Sequence, residues 1–278
     1  MSLSIMLAVL GAAFLHALWN ALIRLGGSKI RAMVMLSLME AAVGLVVALS
    51  QPMPRLEAVW WILGAGIVHF GYKFFLAHAY EQGDLSRVYP IARGSAPMMV
   101  AIVSAALAID AISGIEYAGI AVLGIGIALM ARGVFTDGES RRLLPYAMGS
   151  ALATATYTLV DGIGARVSGE PVGYVGWLMV LGGLLFAAAM VARRGPAMLR
   201  ASGREWGIAG LGAVASYGAY AISIWAMTRA PIALVATLRE TSILFAVLIG
   251  WLVFGEKMRA SKAIAAVLIV VGIVLTRL

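Results

Sequence analysis

Residues 89–110 have the sequence YPIARGSAPMMVAIVSAALAID, and residues 235–256 have the sequence VATLRETSILFAVLIGWLVFGE. Each stretch is an apolar run of helix length with one arginine near its start and one carboxylate at its end. A repetition of this kind predicts that the chain consists of two related halves. One ungapped offset of 146 residues aligns Arg93 with Arg239 and Asp110 with Glu256.

The composition indicates a protein that folds in a lipid bilayer. Of the 278 residues, 62% are hydrophobic and 12% are charged, whereas soluble domains are about half apolar and about a quarter charged. The formal charge of +8 lies mostly in predicted loops, where it indicates topology and contact with anionic lipid, so we expect no nucleic-acid partner. Cysteine is absent, which removes disulfides and thiolate metal sites from consideration.

Ten membrane spans are predicted from the apolar runs, five in residues 1–139 and five in residues 140–278. Because each half has an odd number of spans, the second half enters the membrane from the opposite side. The expected fold is an all-α integral membrane protein with ten transmembrane helices in two inverted five-helix repeats that form one structural unit. The predicted spans are 3–24, 32–50, 58–80, 86–109, 114–132, 144–165, 173–192, 206–228, 232–254 and 260–277.

The charges of the predicted loops give an orientation. Cations crowd the links after spans 1, 5, 7 and 9, and the alternate links hold few. By the positive-inside rule the crowded links are cytoplasmic, which places both termini outside. The cations of the crowded links are Arg24, Lys29, Arg31, Arg132, Arg141, Arg142, Arg193, Arg194, Arg200, Arg204, Lys257, Arg259 and Lys262.

Polar and ionisable side chains inside the spans are candidate site residues, because a charge at the bilayer centre is costly. In span 1, His16 and Asn20 are four residues apart with Trp19 beside them, which places them on one stripe. The stripe either lines a substrate path or makes interhelical hydrogen bonds. In span 2, Glu40 is the lone carboxylate and is either the partner of a buried cation or a proton carrier.

Further candidates lie in spans 3, 4, 6, 8 and 9. His69 and Lys73 are four residues apart in span 3, and Lys73 is deep enough to need an anionic partner from protein or substrate. In span 9, Arg239 and Glu240 are adjacent and point about 100° apart on a helix, so each needs a partner elsewhere. The other predicted substrate-binding residues are Arg93, Tyr157, Asp161, Tyr217 and Tyr220.

Span 4 contains the strongest predicted interruption of a helix. Pro90 and Pro97 each remove an amide donor, and Gly94 between them loosens the helix further. Unwound backbone at membrane depth is tolerated where it is buried or lines a cavity. Residues 90–97 are therefore predicted to form a hinge or binding element, with a simple proline kink as the alternative.

The whole chain resembles the EamA-like branch of the drug/metabolite transporter superfamily. The resemblance rests on the ten short spans in inverted halves, on HALWNALIR at residues 16–24 and on ILFAVLIGWLVFGE at residues 243–256. It implies a basket of ten helices around a central cavity that exchanges access between the two sides of the membrane without covalent chemistry. Members export amino acids and other small metabolites, or carry nucleotide sugars, sugar phosphates and cations. Characterised relatives have both termini in the cytoplasm, opposite to the orientation that the loop charges predict here.

The leading hypothesis is a secondary transporter of the bacterial inner membrane, an exporter with its site between the two repeats. Arg93, Arg239 and Lys73 would attract a carboxylate, phosphate or phosphonate group. The carboxylates of the spans would hold an amino group, neutralise the arginines or pick up a proton. The expected substrate is therefore a small zwitterion or anion such as an amino acid, organic acid or phosphonate. The expected oligomeric state is a monomer or homodimer in membrane lipid.

Several alternatives stay open at this point. If the arginines are all internally paired, a neutral or cationic solute becomes as suitable a substrate. A flippase for lipid-linked headgroups could use the same fold, whereas a channel would need a continuous polar path. No HExxH, GxSxG or Walker-type motif occurs in the sequence, so we expect neither enzymatic activity nor a cofactor or metal.

Overall fold

The computed structural model describes residues 1–24, 28–82, 92, 96–131, 142–255 and 260–275, and all regular secondary structure in them is helical. Two short 3-10 helices, Leu56–Ala58 and Pro196–Leu199, precede the third and eighth α-helices. The α-helices are α1 Leu3–Arg24, α2 Lys29–Ser50, α3 Val59–Gln82, α4 Ala96–Ala106, α5 Gly114–Ala131, α6 Leu143–Ser168, α7 Pro171–Arg194, α8 Gly203–Met227, α9 Ile232–Arg239, α10 Ser242–Phe254 and α11 Ala260–Leu275.

Local sequence sets the ends of several helices. At the start of α8, Ser202 and Glu205 form a reciprocal capping box, in which each side chain accepts the other residue's backbone N–H. Gly169 has a φ of 73° and ends α6 in the left-handed region that glycine adopts without strain. Pro171 follows in the first turn of α7, where a missing amide donor costs no helical hydrogen bond.

Six stretches of the described chain are long and apolar enough to cross a bilayer. Three shorter apolar helices, α4, α5 and α11, accompany them. Large apolar side chains such as Val46, Ile102 and Val267 are exposed on the outer surface of the bundle, which suits contact with lipid. The six stretches are Leu3–Ile23, Lys29–Ser50, Leu56–Gln82, Pro171–Arg194, Gly203–Met227 and Ile232–Val253.

Apart from span 4, the bounds of the described helices agree with the predicted segments to within a few residues, but span 9 differs in one respect. The span predicted at 232–254 is present, yet it is not one continuous α-helix, because α9 ends at Arg239 and α10 begins at Ser242. The amides of Glu240 and Thr241 donate to carbonyls three residues back, at 3.1 Å each, which is the tighter 3-10 geometry. Of the span predicted at 86–109, the structure describes α4 and little else.

The most extensive helix contacts join the two predicted halves. They pair α2 with α7, α3 with α6, α5 with α11 and α1 with α8. Glycines allow close approach in two of these pairs. A Cβ atom added at Gly44 of α2 would lie 2.7 Å from the carbonyl oxygen of Gly176 in α7, and one added at Gly272 of α11 would lie 2.7 Å from the carbonyl oxygen of Gly119 in α5.

The interruption before Ser242 lies, at the sequence offset of 146 residues, at the positions equivalent to residues 94 and 95 of the predicted hinge element, which are outside the described residues.

The bundle has two ends, which we name by one residue each. At the Arg31 end, where α2 and α8 begin, Arg31 Nη2 lies 3.0 Å from Glu205 Oε1. At the Asp110 end, where α6 terminates and α9 begins, Arg166 Nη1 lies 3.0 Å from Asp110 Oδ1. The candidate site lies between these ends.

The glycine contact between α2 and α7 predicts a strong response to one added methyl group. Gly44→Ala should lower the free energy of unfolding by about 1–3 kcal/mol, because the methyl group meets backbone that cannot move aside. Thermal unfolding of the detergent-purified protein measures the change. Gly64→Ala in α3 is the matched control, since no neighbouring atom lies within 4 Å of its added Cβ; equal melting points for the two variants would contradict the packing argument.

Candidate functional site

A buried carboxylate, that of Asp161 in α6, is the centre of the site. Its side chain is fully buried and accepts hydrogen bonds from the hydroxyls of Tyr174 at 3.0 Å and Tyr220. His69 Nε2 lies 2.8 Å from Asp161 Oδ2. Hydrogen bonds of this kind replace the water that a carboxylate loses on burial. The cluster therefore joins α3, α6, α7 and α8 through one charged group.

A second buried carboxylate, Glu40 of α2, neutralises the lysine of α3. Lys73 Nζ lies 2.6 Å from Glu40 Oε2, and Ser216 Oγ donates to Glu40 Oε1 at 2.6 Å. Both ionised side chains are at least 94% buried. The sequence left open whether Glu40 is the partner of a buried cation or a proton carrier. In the structure Glu40 is the partner of a buried cation, Lys73. The anionic partner of Lys73 is therefore a side chain of the protein.

Arg239 differs from Lys73 in having no carboxylate partner among the described residues. It ends α9 and is 3% exposed. Its Nη2 donates to Thr158 Oγ1 at 3.3 Å, and its Cζ lies 5.9 Å from the ring centroids of both Tyr157 and Tyr220. Aromatic faces attract a guanidinium only weakly compared with an anion. Its buried Nε also lacks a hydrogen-bond acceptor in the described part of the chain.

A small cavity of about 30 Å³ lies beside these groups. That volume is enough for a few water molecules and too small for a metabolite. Tyr157 and Tyr220 line the cavity, and Arg239 lies behind their rings. The other lining residues are His16, Trp19, Met33, Leu36, Glu40, His69, Tyr72, Lys73, Met179 and Ser216.

The polar stripe of α1 reaches the site only in part. His16 and Trp19 line the cavity, and Trp19 Nε1 donates to His16 Nδ1 at 3.2 Å. Asn20 instead donates to the carbonyl of His16 at 2.8 Å and accepts from the hydroxyl of Tyr80 at 3.3 Å. Two side chains of the stripe, His16 and Trp19, therefore line the cavity, and the third, Asn20, makes an interhelical hydrogen bond.

The remaining predicted site residues lie at the margins of the cluster or outside the described chain. Tyr217 is not a lining residue, and its hydroxyl donates to the carbonyl of Val172 at 2.9 Å. Glu240 is buried at the interruption between α9 and α10. Pro97 is buried in α4. Arg93, Pro90 and Gly94 lie outside the described residues.

Sequence reasoning missed several residues of the site, among them Met33, Leu36, Met179 and Tyr174, and one contact outside it. Tyr174 lies near the predicted start of span 7, and nothing in the sequence around it indicates a role in the site. Asp110 entered the prediction only through the repeat, yet it forms the ion pair of the Asp110 end with Arg166. Among the described residues, no group of three or more His, Asp or Glu side chains is placed to hold a metal ion.

The site residues converge between the helices of a multi-pass bundle. Comparison with known families gives the class: residues 142–278 match the EamA-like transporter family. Over these residues the chain is similar to that family, whose members are transporters. The match confirms the resemblance to the drug/metabolite transporter superfamily, and the protein is an integral, multi-pass membrane protein.

Comparison with solved structures gives the fold of the whole chain. One crystal structure, whose description names no activity, matches with a TM-score of 0.75 over 99% of this chain and 98% of its own, at 20% identity. Likeness at this identity concerns the fold alone. No curated protein matches the sequence.

The pair formed by Glu40 and Lys73 predicts an unequal response to single and double substitution. Glu40→Gln should lower the free energy of unfolding by about 3–5 kcal/mol, because it leaves the Lys73 ammonium buried without an anion. Glu40→Gln combined with Lys73→Met should recover much of that loss, which a double-mutant cycle of melting points measures.

The control for this cycle is Glu57→Gln, at an exposed carboxylate. It should leave the melting point almost unchanged. A double variant that is as unstable as the sum of its two single variants would contradict the pairing.

Proposed function

We propose that this protein is a secondary transporter of the bacterial cytoplasmic membrane that exports a small zwitterionic or anionic metabolite by alternating access. The observation that carries the proposal is the buried Arg239, which has no carboxylate partner in the described chain and retains a donor without an acceptor. A buried guanidinium favours a planar anion that can accept two parallel hydrogen bonds. Carboxylate, phosphate and phosphonate groups all meet this requirement.

The other end of a zwitterion would meet the carboxylates of the site. Glu40 lines the cavity, and Asp161 lies directly behind His69 and Tyr220. Both carboxylates already have protein partners in the structure, so a substrate ammonium would exchange places with Lys73 or His69.

Alternating access is supported by three features of the fold. The helices of the two proposed halves pack against each other in pairs. Span 9 is interrupted at Glu240 and Thr241, next to Arg239, as broken helices are at the sites of secondary transporters. The cavity of about 30 Å³ must also widen before it holds a metabolite, so binding requires a change of conformation.

Substrate class is tested by ligand-dependent thermal stability of the purified protein, because a ligand that binds only the folded state raises its melting point. We expect a shift with one class among amino acids, organic acids and phosphonates. Arg239→Gln should weaken that ligand about 10- to 100-fold, since it removes charge-assisted hydrogen bonds worth about 1.5–3 kcal/mol. Arg239→Lys should recover part of the affinity by keeping the charge.

The matched control is Arg229→Gln, at an exposed arginine that stacks on Trp225 and lies outside the site. It should bind the ligand as the native protein does. Shifts with cationic or neutral solutes only, or an anionic ligand that binds Arg239→Gln unchanged, would contradict the proposal. Flux in liposomes with water-soluble and lipid-linked forms of the ligand separates a metabolite transporter from a flippase.

A further inference from the structure

Two side chains at the Asp110 end join four chain segments. Asp110, just after α4, accepts the backbone N–H of Ile232 at 2.7 Å and so caps the start of α9. Arg166, near the end of α6, makes two contacts with the same carboxylate, at 3.0 and 3.3 Å. Its Nε donates to the carbonyl of Met227 at 2.9 Å, and its Nη2 donates to that of Ala230 at 3.2 Å. We name this set of contacts the Asp110 latch.

The latch is more constrained than an ordinary surface ion pair. Isolated exposed pairs contribute little, because two long side chains lose entropy to hold one geometry. Here the guanidinium is fixed by four acceptors, and the carboxylate also meets the positive end of a helix dipole. The Asp110 side chain is 13% exposed. Opening the bundle at this end therefore means breaking several bonds together.

The short helix α9 extends from the latch to the candidate site. It has eight residues, all of them buried, and spans about 12 Å from Ile232 to Arg239 at the usual rise per residue. Its first amide bonds to Asp110, and its last side chain is the arginine proposed to bind the substrate anion. The interruption at Glu240 and Thr241 separates α9 from α10. A displacement of α9 can thus occur without carrying α10 along.

We propose that α9 couples Arg239 in the central site to the Asp110 latch, so that release of the latch opens the Asp110 end and movement at Arg239 shifts the same equilibrium. The inference rests on the proposed function only for the identity of Arg239 as the anion site. The latch itself follows from the contacts of Asp110 and Arg166. An element with two arrangements that both sites bias is what coupling between them requires.

The chain offers a direct test, because its sequence contains no cysteine. Leu107 and Arg229 are both exposed; Leu107 shortly precedes Asp110, and Arg229 is next to Ala230, whose carbonyl Arg166 contacts. Cysteines at these two positions carry spin labels whose separation reports opening of the Asp110 end. The measurement is the distance distribution of the full-length protein in lipid nanodiscs without added ligand. Asp110→Asn keeps an oxygen for the Ile232 amide but loses the ion pair, and it should raise the long-distance population several-fold.

Two further variants test the latch by other routes. Arg166→Lys keeps the charge but cannot reach the carbonyls of Met227 and Ala230 together, so it should give an intermediate population. Gel filtration and the melting point show whether Asp110→Asn folds. If it does not, Arg166→Lys is the variant that tests the latch. Arg31→Gln breaks the ion pair at the opposite end and should not raise the long-distance population. An increase with Arg31→Gln equal to that with Asp110→Asn, or none in either latch variant, would overturn the latch.

The coupling through α9 is tested by Arg239→Gln with the same label pair. This substitution loses the charge and the contact with Thr158, and it should also shift the population at the Asp110 end. An unchanged distribution in Arg239→Gln, with a clear shift in Asp110→Asn, would overturn the coupling. Because no ligand is added, failure of the proposed substrate class leaves this result intact and is detected separately in the thermal-stability panel.

Discussion

The burial of carboxylates at membrane depth is the constraint on which the rest of the structure depends. A charge removed from water is tolerated there only when hydrogen bonds and opposite charges take the place of hydration. Asp161 meets this requirement with groups from α3, α7 and α8, and Glu40 meets it with groups from α3 and α8. Two side chains therefore fix the relative positions of five helices, and they tie the first half of the chain to the second at its centre.

The outer contacts obey a different physical rule. Lipid is as apolar as the helix surfaces, so helices in a bilayer associate through close packing and small residues rather than through a hydrophobic driving force. Gly44, Gly176 and Gly272 bring backbones together in pairs drawn from both halves. Such contacts are tight and have no alternative partners, which makes the pairs suited to move as units. The polar centre has several donors and acceptors within reach, so partners can be exchanged there.

The sequence predicted the elements better than their partners. The lengths of the apolar runs alone predicted the helices. The polar residues within those runs predicted most of the side chains that meet at the centre. The sequence alone could not predict which side chains form ion pairs, because Glu40 meets Lys73, and Asp110 meets Arg166, only in the tertiary structure. The interruption of span 9 could not be predicted from helix propensity, since residues 236–243 contain neither proline nor glycine. The offset of 146 residues aligns this position with residues 94 and 95 in the proline-containing element of span 4.

The two buried cations of the described site differ in what they can contribute to selection of a substrate. Lys73 is already neutralised at 2.6 Å by Glu40, so an arriving anion would have to displace a well-placed carboxylate and would gain little. Among the described residues, Arg239 contacts a hydroxyl and two aromatic faces and no carboxylate, so an anion there would gain interaction energy that these contacts do not supply. A ligand shifts a conformational equilibrium only by its differential affinity for the two states. Under the proposed function, Arg239, at the end of a short helix next to a break, is therefore the position where substrate binding would have the most free energy available to drive a change of conformation.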